Sequence, residues 1–170
     1  MKTEFVEIQR FRQWWLWLIL LGSFLPLAVS FFRKINREGV SPEDFSFSGW
    51  LVYIGINAVV FLFFLALELR TEVDSKGVRM RLRFVDRKVI PWEDVQSAEI
   101  ITYGFVGYGL RLLTKYGTVF NISGNKGLAI RCKDGSRYLV GTQEPERLRN
   151  TLQALTAQHA IAFKDTSDPL

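Results

Sequence analysis

Cysteine and histidine are almost absent from this chain, which has one of each, Cys132 and His159. No internal disulfide can form, and the usual zinc ligand sets are excluded. The same scarcity argues against nucleophilic or acid–base catalysis, which needs a positioned base, because the only histidine is His159. His159 reads as a helix-edge residue and Cys132 as a buried, inert strand thiol. Glu93, Asp94 and Glu99 are spaced as solvated charge and not as an acid pair. The run GFVGYG, with Gly104, Gly107 and Gly109, misses the dinucleotide fingerprint and lies in no βαβ unit. Repeats and low-complexity tracts are also missing. The expectation is a protein that is not an enzyme and needs no cofactor or metal.

Charge is missing from two long stretches, Trp14 to Phe32 and Gly49 to Leu67. A helix rises about 1.5 Å per residue and a hydrocarbon core is about 30 Å thick, so each stretch reads as a membrane span. The spans are predicted over about 13–32 and 49–67. Trp14, Trp15 and Trp17 at one end of the first, with Phe31 and Phe32 at the other, suit interfacial anchoring. Pro26, with Gly22 and Ser23 close by, predicts a kink there. A cleaved signal peptide ending at Ala28-Val29-Ser30 is the weaker reading, because the apolar run is too long and bulky phenylalanines follow it. Asn57, the one strongly polar side chain of the second span, is expected to face the first, with Gly55 and Gly22 as candidate helix contacts. Residues 33–48 form a polar link with Gly39, Ser41 and Pro42 as breakers, and Phe45, Phe47 and Trp50 then return the chain to the interface. The link carries Arg33, Lys34 and Arg37. The other side carries Lys2, Arg10 and Arg12, then Arg70, Lys76, Arg79, Arg81 and Arg83. The positive-inside rule therefore predicts a multi-pass protein of the inner (cytoplasmic) membrane with both termini in the cytoplasm.

Beyond the second stretch the period changes from helical to two. Thr71–Asp74 reads as a short strand, Ser75-Lys76-Gly77 as a turn, and VRMRLRF as a half-buried strand. In that strand Val78, Met80, Leu82 and Phe84 face a core, while Arg79, Arg81 and Arg83 face water. Asp86-Arg87-Lys88 reads as the next turn. Val89-Ile90 and Val95–Thr102 are strands on either side of a helical turn at Pro91–Asp94, and an irregular loop covers Tyr103–Gly109. Leu110–Lys115, Thr118–Ile122, Gly127–Cys132 and Arg137–Gly141 complete the strands. A helix opens at Glu144-Pro145, with Leu148, Leu152 and Leu155 as its apolar stripe. The predicted organisation is an anchor over 1–69, a sheet-and-helix domain over 70–162, and a tail over 163–170. Net charge is +5, an excess that suits anionic headgroups and is too dispersed to suggest nucleic acid. Arg79, Arg81 and Arg83 are the main candidate surface for an anionic lipid or a partner, with Lys76 beside them. Lys126, in the turn Gly124–Gly127, could also meet an anion.

Ser123-Gly124-Asn125-Lys126-Gly127-Leu128, then Asp134-Gly135, then Tyr138-Leu139-Val140-Gly141-Thr142-Gln143 and Pro145 resemble the bacterial PH-like (pleckstrin-homology-like) domain family, in its members with two transmembrane helices. The likeness covers roughly 70–160 and the double-span layout before it, and it is carried by glycines and turns. It implies an α+β membrane protein: a two-helix hairpin, then an antiparallel split β-barrel capped by a C-terminal helix. It also implies a membrane-associated scaffold for a protein partner or anionic lipid, with no shared catalytic site. Lys76, Arg79 and Arg81 are also similar in order to the basic residues of eukaryotic phosphoinositide-binding PH domains, which extends only to a mild preference for anionic groups. A homo-oligomer is compatible with this reading. The alternative is a subunit or regulator of a transport or envelope-stress complex that docks through its helices.

Overall fold

The structure is a computed structural model and describes residues 4–36, 47–104, 107–159 and 161–166. Gly39, Ser41, Pro42 and Phe45 of the predicted link, Phe105 and Val106 of the predicted loop, and residues 167–170 lie outside the described residues. The chain forms two compact units, a helical one over Arg12–Ala66 and a β-rich one made of Met1–Phe11 and Leu67–Leu170.

In the β-rich unit, strands β1 (Phe5–Arg10), β2 (Glu68–Asp74), β3 (Gly77–Leu82) and β4 (Asp86–Pro91) form a four-stranded antiparallel sheet in chain order. A 3₁₀ turn at Trp92–Asp94 leads into β5 (Val95–Thr102), β6 (Gly109–Thr114), β7 (Gly117–Asn121), β8 (Lys126–Cys132) and β9 (Arg137–Thr142). With β10 (Ala162–Thr166) these make a six-stranded sheet ordered β10-β5-β8-β9-β7-β6. The molecule is thus α+β, as expected. Two of its ladders, β7–β9 and β10–β5, are parallel, so the second sheet is mixed and not antiparallel throughout. Among the described residues no ladder joins the two sheets, so the barrel is not closed.

Period-two patterning explains the strands that were legible. Val78, Met80 and Leu82 are buried while Arg79, Arg81 and Arg83 point outward. The β2–β3 turn is held by Asp74, whose Oδ1 accepts from the amides of Lys76 (2.9 Å) and Gly77 (3.2 Å). Gly77 itself has φ +153°, and a Cβ there would lie 2.2 Å from the Ile90 carbonyl oxygen, so only glycine fits. Helix α4 (Pro145–Gln158) carries proline in its first turn and buries Leu148, Leu152 and Leu155.

Three boundaries differ from the sequence reading. Residues 1–12 were grouped with the anchor, yet Phe5–Arg10 is an edge strand paired to β2. Its inward residues are Phe5, Glu7 and Gln9, so the apolar side chains do not mark the buried face and the alternation is hidden. The expected tail begins inside β10, which pairs with β5 and is tied to α4 by an Arg149–Asp165 ion pair. The β3–β4 connection comes earlier than expected. Strand β3 stops at Leu82, the turn runs through Phe84 and Val85, and Asp86–Lys88 begins β4. Phe84, read as a core residue, is 68% exposed with φ +65°.

The helical unit holds α1 (Trp14–Gly22), α2 (Leu25–Ile35) and α3 (Phe47–Ala66). The first predicted span is therefore two helices. Pro26 has no N–H to donate back along the helix, and the Ser23 and Phe24 amides close the end of α1 on Ile19 and Leu21 (both 3.0 Å). Among the described residues, Ser48–Ala66 alone is long and apolar enough to cross a membrane by length and composition; Trp14–Ser30 is apolar but shorter. Trp17 meets Phe61 edge-on at 5.2 Å, and the Ser23 hydroxyl donates to Asn57 Oδ1 at 2.6 Å. These pairs run in opposite chain directions, so α1 and α3 pack antiparallel.

Candidate functional site: an arginine face on the four-stranded sheet

The register of β2, β3 and β4 sets Arg70 opposite Arg81 and Arg81 opposite Arg87. All three side chains are exposed, because their strand neighbours Leu69, Thr71, Met80 and Leu82 take the buried face. Like charges directly across a sheet disfavour the pairing, by about 0.2–1 kcal/mol per pair. Such a row is stable when carboxylates or bound anions neutralise it.

The carboxylates cover only part of it. Glu72 accepts from Arg70 Nε at 2.6 Å and from Arg79 Nε at 3.0 Å. Arg79 Nη2 also pairs with Asp74 Oδ2 at 2.9 Å, on a carboxylate side chain only 2% exposed. Burial pushes the Glu72 carboxyl up, but Arg70 and Arg79 outweigh it and hold Glu72 below the usual carboxylate range. Burial likewise opposes the charge on Arg79, but Glu72 and Asp74 outweigh it and raise its pKa. Arg79 is therefore committed to the fold. Arg83 is 4.0 Å from Glu68, which also pairs with Arg10 at 3.3 Å. Among the described residues neither the Arg81 nor the Arg87 guanidinium has a carboxylate partner, while the Arg87 backbone amide donates to Asp86 Oδ1 at 2.7 Å.

Two shallow concavities open on this face. One, of about 270 Å³, is lined by Glu68, Arg70, Arg81 and Arg83. The other, of about 160 Å³, is lined by Arg70, Glu72, Arg79, Met80, Arg81 and Arg87. Arg70 and Arg81 border both, so a phosphate-sized anion in either meets two guanidinium groups, the geometry that forked donors favour.

The remaining expected residues lie elsewhere. Lys76 sits in the β2–β3 turn, about 20 Å along β3 from Arg83 at the usual strand rise. It borders a separate open cleft of about 620 Å³ with Trp92, Lys133 and His159. His159 stacks on Trp92 at 6.0 Å, and the Trp92 indole N–H donates to the Asp74 carbonyl at 2.7 Å. Lys126 begins β8 in the other sheet, between Thr102 and Thr142. Asn57 bonds Ser23 and donates from Nδ2 to the Tyr53 carbonyl at 2.9 Å, whereas a Cβ added at Gly22 or Gly55 would meet nothing within 4 Å. Arg70 and Arg87 were missed. A turn at 75–77 would set 70 against 82, whereas Gly77 pairs with Asp74 and sets 70 against 81, so the first was hidden by a register one residue off; the second was hidden by placing the next turn too late.

Buried groups away from this face are shifted as well. Burial raises the Glu7 carboxyl, although Thr142 Oγ1 (2.6 Å) and the Gln143 amide (2.7 Å) donate to it. Burial, with Tyr116 nearby, pushes Tyr103 up to about 12. Burial also pushes the Cys132 thiol up, away from the reactive thiolate. Among the described residues no three His, Cys, Asp or Glu side chains are grouped to hold a metal. No protein-family model matches the chain, and no curated protein matches it either.

Proposed function

We propose that this chain is a membrane-anchored, non-enzymatic PH-like module that holds anionic lipid headgroups, or an acidic stretch of a protein partner, against the arginine face of its first sheet. The observation that carries the proposal is the row Arg70, Arg81 and Arg87, two of whose guanidinium groups lack carboxylate partners among the described residues.

The membrane part of the reading is supported by parity. Arg10 of β1 is paired with Glu68 of β2, and the helical unit is inserted between them. Two hydrogen-bonded strands lie on one side of any bilayer, so the chain between them crosses it an even number of times. If α3 crosses once, residues 12–46 must supply the return. The apolar α1–α2 segment is the available stretch, its break at Pro26 being of the kind bilayer spans tolerate. Both termini then share a side, and the basic residues flanking the helices support a cytoplasmic assignment of that side. A four-stranded meander, the antiparallel trio β5-β8-β9 and a following helix also support the PH-like reading.

The test is native mass spectrometry of the full chain in detergent, titrated with phosphatidylglycerol or phosphatidylcholine. Preferential retention of the anionic lipid, lost in an Arg81→Gln/Arg87→Gln variant, supports the headgroup reading. Equal retention of both lipids by wild type and variant removes the lipid and leaves the acidic partner.

A further inference from the structure

Phe84 and Val85 form an exposed apolar tip where the β-rich unit has no need of one. Phe84 is 68% exposed and Val85 47%, and Phe84 is in the left-handed region at φ +65°, which bulky side chains rarely adopt. The backbone therefore holds the ring outward at a conformational cost. The position of the tip is equally specific. The Arg83 amide donates to the Glu68 carbonyl at 2.9 Å, and Glu68 begins β2 two residues past the end of α3 at Ala66. Chain geometry alone keeps Phe84 within about 20 Å of path from Ala66. Arg10 and Arg83 flank the same end of the sheet, and the Arg83 guanidinium lies 5.0 Å from the Phe84 ring. An apolar tip ringed by arginines at the end where the chain runs into an apolar helix has the composition of an interfacial anchor.

We propose that the Phe84–Val85 turn inserts into the headgroup region of the bilayer in which α3 is seated. This rests on the membrane reading above and adds a third attachment, made by the β-rich unit itself. Arg83 would meet phosphate while Phe84 enters the acyl boundary. The insertion would fix the tilt of the sheet and bring Arg70, Arg81 and Arg87 to headgroup level. The second exposed apolar point, Leu113 near the end of β6, has no such tie to a helix end and is not part of the proposal.

The experiment uses the full chain in anionic lipid nanodiscs, in a Cys132→Ala background with one fluorophore-labelled cysteine at a time, and lipids carrying a nitroxide at shallow depth for the two turn labels and deep in the acyl chain for the helix label. Labels go at Val85→Cys, at Ser75→Cys in the opposite turn of the same sheet, and at Val59→Cys in α3. Quenching of the Val85 label at least about twofold above that at Ser75 is expected, together with its loss on adding Phe84→Asp. An unquenched Val85 label with a quenched Val59 label overturns the insertion and leaves the anchor standing. An unquenched Val59 label overturns the anchor and the insertion with it. Equal quenching at Val85 and Ser75 overturns an insertion specific to this tip.

Discussion

Arg79 and Arg81 are two positions apart on one strand face, yet their surroundings separate them. Arg79 neutralises Asp74, which in turn holds the amides of the β2–β3 turn. Its replacement leaves a buried carboxylate without a counter-charge, so Arg79→Gln should destabilise the fold by about 1–3 kcal/mol. Arg81 has no carboxylate partner among the described residues and its neighbour across the strand is Arg70, so Arg81→Gln should be neutral or slightly stabilising. Chemical unfolding of the two variants side by side checks both; equal losses would contradict the division. Glu7 gives a pH test. Its raised carboxyl means that the protonated form stabilises the fold below the ordinary carboxylate range, and that this contribution is lost as pH rises through the raised value. Glu7→Gln imitates the protonated side chain. Wild type and variant should melt together near pH 4, and the variant should hold its stability better toward pH 8. A gap that does not change with pH would remove Glu7 as its source. At this scale the sequence showed that Arg79, Arg81 and Arg83 face out, because burial alternates from Val78 to Leu82. It did not show which are occupied, because that depends on carboxylates brought in by strand register.

Strand β1 shows why some elements escape a sequence reading. Its buried positions alternate Phe, Glu, Gln, and the last two are buried only because β9 and its following loop offer matching polar groups. Gln9 Nε2 donates to the Gly141 carbonyl at 2.6 Å, and Glu7 accepts from Thr142 and Gln143. Those partners lie more than a hundred residues away, beyond any local pattern. Strand β10 escaped for a related reason, since a short polar segment becomes a strand only by pairing beside β5. By contrast β3, β8 and α4 carry their own apolar period, and β9 a short apolar run after the Asp134-Gly135 turn, and these were legible. The same logic makes β1 an integral part of the β-rich unit. Phe5 is fully buried and lies 5.2 Å beneath the Arg147 guanidinium, so Phe5→Ala should cost about 3–5 kcal/mol. A chain cut to 70–170 loses β1 and should not unfold cooperatively. A sharp melting transition in that fragment would show β1 to be dispensable.

At the scale of the whole molecule, the helical unit is an insertion into a β-hairpin. Its two ends, after Arg10 and before Glu68, are paired residues on adjacent strands. Removing residues 12–66 therefore leaves Phe11 and Leu67 facing one another, the arrangement that a two-residue Asn-Gly turn closes. The shortened chain should be soluble and fold cooperatively, because the strand pairing, the turns and α4 belong to the β-rich unit. It also isolates the proposed binding surface from the anchor, which in the full chain would hold the protein on any bilayer. Flotation with anionic vesicles should then depend on salt, as expected for guanidinium–headgroup contacts. Near an anionic surface each arginine contributes about 1 kcal/mol, so Arg81→Gln/Arg87→Gln should weaken binding about 10–30-fold. Neutral vesicles should not retain the shortened chain. If it folds yet floats with neither vesicle, the arginine face does not hold lipid when freed from the anchor, and an acidic protein partner becomes the occupant to seek. If it fails to fold, the helices are part of the β-rich unit's stability, and the two compact units are one cooperative whole.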